Sequence, residues 1–187
     1  DNHFIPTVHI DDVAGQALLD FMSAHTGETA TLTGGVKVFG QGDVMAAFSS
    51  RGGPGQTLGI TKPDVAAPGV NILAGHSPMP AFPLEGGGGA PGNYFQAIGG
   101  TSMSAPHIAG AAALLKQMHP DWSPGQIRSA LMMTALTEGV VKEDGITPAD
   151  SFDYGSGRLD LSKAGDAGVT ISTTGAEFWA LQDQLWD

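Results

Sequence analysis

The sequence has no cysteine, which excludes disulfides, thiolate nucleophiles and zinc or iron–sulfur sites built on cysteine. Basic residues are scarce: 8 Lys+Arg stand against 19 Asp+Glu, for a formal charge of −11. That balance argues against a nucleic-acid partner, because phosphate binding needs clustered cations. Long apolar runs are missing too. The longest, Ile108 to Leu115, is far short of the roughly 20 residues needed to cross a bilayer. The opening Asp1-Asn2-His3-Phe4 has no basic region followed by an apolar one, so neither a membrane span nor an export signal is expected in these residues. Charged residues make up only 14% and aromatics 7%, yet 41% hydrophobic residues suffice for a core, and one compact unit is expected.

What the chain has instead is 28 glycines and 12 prolines, which punctuate it into short elements. Phe4 to Ile10 reads as a short strand leading to Asp11-Asp12. Val13, Ala14, Ala17, Leu18, Phe21 and Met22 recur at three- and four-residue spacing behind an acidic cap, predicting a helix that Gly27 stops. Thr29–Leu32, Val36–Phe39 and Val70–Leu73 are strand candidates, and 76–93, with four glycines in a row from Gly86 to Gly89, reads as loop. Pro106 lacks an N–H and belongs in a first turn, so a helix ending near His119 is expected to begin at about Ser102. Its body, Ile108 to Leu115, is apolar on every face and predicts burial all round. Ser123-Pro124-Gly125-Gln126 is a capping box with proline at the first helical position, Trp122 is placed to staple onto Ile127, and the helix is expected to reach about Thr137. Gly155-Ser156-Gly157-Arg158-Leu159-Asp160-Leu161 reads as a tight turn into a short strand, and Ser162 to Ala167 as a brief helix.

Ser102 lies in Gly99-Gly100-Thr101-Ser102-Met103-Ser104-Ala105-Pro106-His107, a string in which each neighbour suits a nucleophile. The glycines let a substrate backbone approach. A helix starting at the serine aims free N–H groups and its positive dipole end at an oxyanion beside Oγ, and small residues in the next turn leave room. The alternative is that Ser102 or Ser104 merely caps a buried helix. His107 is not a partner for Ser102: five residues on, at about 100° each, it lies roughly 140° round the helix and is expected to satisfy a buried hydrogen bond. No His-Glu-x-x-His, EF-hand, P-loop or Gly-x-Ser-x-Gly pattern occurs.

The string Gly100 to His107 followed by Ile108-Ala109-Gly110 resembles the nucleophile motif of the subtilisin-like serine peptidases, the subtilases. The resemblance extends to Ala47-Phe48-Ser49-Ser50-Arg51-Gly52, to Lys62-Pro63-Asp64-Val65-Ala66-Ala67-Pro68-Gly69-Val70-Asn71-Ile72, to His119-Pro120-Asp121-Trp122-Ser123-Pro124 and to the Tyr154-Gly155-Ser156-Gly157 turn. It implies an α/β fold: the C-terminal portion of a subtilisin-like domain, with a mainly parallel sheet and a buried central helix beginning at the nucleophile. Residues 1–35 are similar to the end of an inserted protease-associated domain, 36–168 to the C-terminal part of the peptidase domain, and 169–187 to the start of a following segment or tail.

The same resemblance implies a secreted serine endopeptidase acting on protein or peptide substrates by a Ser-His-Asp mechanism. Ser102 is the implied nucleophile and backbone oxyanion donor, Thr101 assists that donor set, and Phe48, Gly99 and Gly100 are candidates for the substrate cleft. The family's Asp stands before Ser or Thr and then Gly, and its His before Gly; no residue preceding Ser102 has either context. His3, His9, His25 and His76 are not taken as the base, nor Asn71 or Asn93 as the oxyanion asparagine. The Asp, His and Asn are therefore expected in a missing N-terminal half, this partner being required for activity, and the isolated chain is expected to be inactive. No cofactor is identified from the residues; structural calcium is implied by resemblance only. The other class of function open to the chain is a non-catalytic binding or structural module descended from a subtilase.

Overall fold

The computed structural model describes residues 8, 10–34, 39–53, 61–76 and 94–182. The strand readings at Phe4 to Ile10 and Val36 to Phe39 fall mostly outside these residues, as do the four consecutive glycines. The chain divides into two compact units, 1–40 with 76–94 and 41–75 with 95–187, where composition suggested one.

In the first unit, α1 spans Asp12–Ala24. Asp11 caps it by accepting the Ala14 N–H at 2.7 Å, as the acidic pair predicts. At its far end the His25 ring stacks on Phe21, with centroids 4.2 Å apart, and Nδ1 lies 2.8 Å from the Phe21 carbonyl. Gly27 follows with φ of 78°, in the left-handed region that ends helices. Thr29 to Leu32 does not form the expected strand; no described segment pairs with it.

The second unit holds the remaining elements: strands β1 (Ile72–Gly75) and β2 (Phe95–Ile98), and helices α2 (Thr101–Met118), α3 (Pro124–Met133), α4 (Ser151–Tyr154), α5 (Leu161–Ala164) and α6 (Gly175–Gln182). β1 and β2 pair antiparallel, Ile72 opposite Ile98 and Gly75 opposite Phe95. A mainly parallel sheet is not seen among the described residues. Parallel pairing is confined to single bridges, Val44 with Val141 and Ala66 with Arg158. Pro63 and Pro68 have no N–H to give a ladder, and Gly52, Gly53 and Gly69 break the extended runs on either side, which keeps each pairing to one residue.

Local chemistry sets the two long helices of this unit. Ser123 Oγ accepts from Gln126 N at 3.2 Å and Gln126 Oε1 from Ser123 N at 2.9 Å, the reciprocal cap expected at the start of α3. The helix stops at Met133 rather than near Thr137 because Leu136 and Arg158 exchange both backbone hydrogen bonds, at 2.9 and 2.8 Å, and so draw the chain into a bridge. Ala111 and Leu115 of α2, Ile127, Ala130 and Leu131 of α3, and Ala164 of α5 form one core, with Trp122 packed on its side. The Trp122 ring also stacks on His119 at 3.8 Å, and His119 Nε2 lies 2.7 Å from the Gly165 carbonyl, closing the link between the helices.

The prediction that α2 is buried on every side is corrected. Only Ala111 and Leu115 are buried; Leu114 is 53% and Met118 60% exposed. The elements described here cover one face of α2, and an all-apolar helix buries only the face that has a neighbour. A second, smaller core gathers Met45, Val140, Ala149 and Tyr154, with Ala66 against it. Among the described residues no helix is long and apolar enough to cross a membrane.

Candidate active site

The first turn of α2 fixes the geometry. Its N-cap is Gly100, with extended backbone and no side-chain cap. The capping alternative for Ser102 and Ser104 therefore fails. Ser104 turns its hydroxyl to the Ala67 carbonyl, 2.9 Å away, and Gly100 N–H donates to the Gly69 carbonyl at 2.7 Å. The Ala67-Pro68-Gly69 segment thus seats the start of the helix. Gly69 is required there: a Cβ at that position would come within 2.9 Å of the Gly100 carbonyl and 3.3 Å of Ser104 Cβ.

Thr101 and Ser102 remain exposed at the helix start. Met103 N and Ser104 N both return to the Gly100 carbonyl, at 3.0 and 3.3 Å, whereas among the described residues the N–H groups of Thr101 and Ser102 meet no acceptor. Two orphan donors at the positive end of an 18-residue helix, beside an exposed hydroxyl, make a surface suited to a developing negative charge. Gly99 lies against the Phe48 ring, whose Cε1 and Cζ would be 3.7 Å from a Cβ on Gly99, and Phe48 itself is half-exposed. The structure therefore brings Phe48, Gly99, Gly100, Thr101 and Ser102 onto one surface.

His25, His107 and His119 are each engaged with a backbone carbonyl. His107 Nδ1 lies 2.8 Å from the Met103 carbonyl of its own helix, a structural hydrogen bond as the helical angle requires, although the ring is exposed rather than buried. His25 and His119 are held by Phe21 and Gly165 in the same way. His3 and His9 lie outside the described residues. Among the described residues no three of His, Asp or Glu converge in a way that could hold a metal ion.

Behind the Phe48 turn stands an ion network that sequence reasoning missed. Asp153, 3% exposed in its side chain, pairs with Arg51 Nε at 2.8 Å and with Lys142 Nζ at 2.8 Å, and accepts the Asp150 N–H at 2.8 Å. Burial pushes the Asp153 carboxyl up, but the hydrogen bonds from Lys142 and Asp150 and the charges of Lys142 and Arg51 outweigh it and hold the group below its ordinary value. Arg51 spends its remaining donors on the Ser49 carbonyl at 3.0 Å, the Ala46 carbonyl at 3.4 Å and Glu143 at 2.7 Å.

A parallel arrangement ties down 62–66. Asp64 is paired with Lys62 and with Arg128 of α3; burial raises its carboxyl, and these two cations bring it below the usual range. The Gly155-Ser156-Gly157 turn closes on the same segment through Ser156 N to the Asp64 carbonyl and Ala66 N to the Gly157 carbonyl, each 2.9 Å. An apolar groove of about 540 Å³ runs between α2 and α3, lined by Val65, Ile108, Ala112, Trp122, Ile127 and Leu131 among others. It shares no lining residue with the Ser102 surface.

These features define an exposed serine at the start of a helix, and the comparisons with known proteins supply the family. The sequence pattern of the subtilase family, a peptidase S8 family, matches residues 24–157, and the chain belongs to that family. It is 36% identical over 191 residues to subtilisin-like protease SBT1.6 of Arabidopsis thaliana, covering 95% of this chain and 24% of the relative. With subtilisin-like protease SBT1.4 of the same plant it shares 39% identity over 188 residues, 96% of this chain and 24% of the relative. A third Arabidopsis relative, the CO(2)-response secreted protease, is 34% identical over 92% of this chain and 23% of its own length. The chain thus spans about a quarter of the length of these relatives. Among solved structures, fervidolysin from Fervidobacterium pennivorans, a keratinolytic enzyme related to subtilisin, aligns with 55% of this chain and 15% of its own at 30% identity and a TM-score of 0.39.

Proposed function

We propose that this chain supplies the nucleophile portion of a serine endopeptidase. Ser102 Oγ attacks the scissile carbonyl of a protein or peptide substrate. A histidine contributed by residues outside this chain takes the hydroxyl proton and later gives it to the leaving amine, with an aspartate orienting the ring. The oxyanion formed on the carbonyl oxygen sits before the start of α2, where the Ser102 N–H donates, Thr101 assists, and an asparagine from outside the chain completes the set. Phe48, Gly99 and Gly100 line the substrate cleft. In this reading 1–35 ends an inserted protease-associated domain, 36–168 is the C-terminal part of the peptidase domain, with the parallel sheet and fully enclosed α2 of the complete fold, and 169–187 begins a following segment. The parent protein is secreted.

The observation that carries this reading is Ser102 exposed beside two N–H groups without acceptors, in a chain of the subtilase family. A serine hydroxyl without a base stays protonated near neutral pH, so the 187 residues alone are expected to hydrolyse peptides negligibly. In the full-length protein, Ser102→Ala is expected to lower kcat by several orders of magnitude and to abolish labelling by a fluorophosphonate serine probe. Full activity in that variant, or probe attachment only at a serine outside this chain, would remove Ser102 from the nucleophile role and leave these residues as a non-catalytic module of the protein.

A further inference from the structure

We infer that Arg51, set in place by the buried carboxylate of Asp153, is the positioning residue for the Phe48 wall of the Ser102 surface. The inference deepens the peptidase reading and rests on it. Phe48 sits at the tip of a short turn, 46–49, whose backbone has one internal hydrogen bond, Ser49 N to the Ala46 carbonyl at 3.0 Å. Such a turn is held weakly by itself. Its two flanking carbonyls, Ala46 and Ser49, both receive Nη1 of Arg51, so the guanidinium closes the turn from behind.

The guanidinium is itself oriented on its other two edges. Nε faces Asp153 Oδ1 at 2.8 Å and Nη2 faces Glu143 Oε2 at 2.7 Å. Asp153 has no freedom to follow a moving arginine: its second oxygen holds Lys142 and the Asp150 N–H, and the neighbouring Phe152 carbonyl accepts from Gly52 N at 2.7 Å. Glu143 is 53% exposed and contributes little rigidity, whereas Asp153 is almost wholly enclosed. Position therefore passes from α4 through Asp153 to Arg51, then to the turn, and from Phe48 to Gly99, three residues before the nucleophile. The guanidinium carries its donors on separate nitrogens, which suits a carboxylate and two carbonyls that lie in different directions, whereas the three donors of an ammonium share one nitrogen. Lysine offers one point charge, which can keep the pair with Asp153 but not the clamp on the turn.

The test uses Arg51→Lys, Arg51→Gln and Asp153→Asn with two readouts. In the full-length enzyme, kcat/KM for a peptide substrate is expected to fall about tenfold in Arg51→Lys, mainly through KM, while fluorophosphonate labelling of Ser102 keeps its rate, because a small probe does not need the Phe48 wall. The Arg51→Gln, Asp153→Asn double variant should lose no more than the worse single variant, since both act through one contact. In the full-length protein, labelled selectively at glycine and leucine, NMR is expected to show the Gly99 α-protons losing the ring-current shift from Phe48 in Arg51→Lys while the Leu115 and Leu131 resonances of the α2–α3 core stay in place. An unchanged Gly99 shift, an unchanged peptide KM, or equal losses for peptide and probe would each overturn the positioning role. Failure of the wild-type enzyme to label at Ser102 would instead overturn the peptidase reading, and the Gly99 resonances would still judge Arg51.

Discussion

The two cores of the larger unit are built by different physics. The α2–α3–α5 core is apolar and helical, with Leu115 and Ala130 almost wholly enclosed and the capping box starting α3. The region around Met45, Val140, Ala149 and Tyr154 is small, and its order comes from close backbone approaches and charge: Gly52 and Gly155 lie where no side chain fits, and Asp153 gathers two cations. Both reach the Ser102 surface, the first by carrying the helix and the second by carrying Phe48. The body of the helix that carries Ser102 is held mainly by apolar packing, with its first turn seated on Ala67 and Gly69, while the Phe48 wall depends on an ion network and on close backbone approaches.

The sharpest way to break this contrast is to add one atom to the second region. At Gly155, with φ of 70°, a Cβ would lie 2.1 Å from the Pro63 carbonyl oxygen and 2.5 Å from that of Asp64. Gly155→Ala is expected to cost about 4 kcal/mol or more, read by urea denaturation, because both the backbone conformation and the space exclude a side chain. In the first region the corresponding change removes atoms. Leu115→Ala should cost about 3 kcal/mol from lost burial plus the cavity left behind. A loss at Leu115 as large as that at Gly155 would erase the distinction.

The smallest expected effect separates the regions by pH. Asp153 has a folded-state pKa below its ordinary 3.8, so it stabilises the fold above that value and its contribution is lost as pH falls through the lower, folded value. Asp153→Asn is expected to lower stability by about 2 kcal/mol at neutral pH, leaving Arg51 and Lys142 without their shared anion. It should also flatten the acid limb of stability measured below about pH 4. Leu115→Ala should shift the whole curve and leave that limb's shape alone.

Legibility in the sequence follows the same division. The caps of α1 and α3 were readable because Asp11 and Ser123 with Gln126 act on backbone within a turn of themselves, whereas Pro106, expected in the first turn of α2, stands at its sixth residue. β2 was not, since Phe95 to Ile98 is four residues whose strand character exists only through Ile72 to Gly75. The burial of α2 was overestimated because composition tells which faces are apolar and not which have neighbours. At the candidate site, Ser102, Gly99 and Phe48 were singled out through a family resemblance, and in the structure Gly99 lies against the Phe48 ring three residues before Ser102. Arg51 stood inside a recognised string without a visible role; pairing such as Arg51 with Glu143, 92 positions apart, leaves no local pattern.

The contact between Ser104 and Ala67 also bears on the order of assembly. That hydrogen bond spans 37 residues, while α2 and α3 meet across a short link closed by His119 and Trp122. Loop-closure entropy favours the shorter circuit, so the helical pair can zip up first and the seat for its leading turn arrives afterwards. The serine is then the last part of its own helix to receive a fixed address, and a chain caught midway carries a formed helix with an unanchored tip.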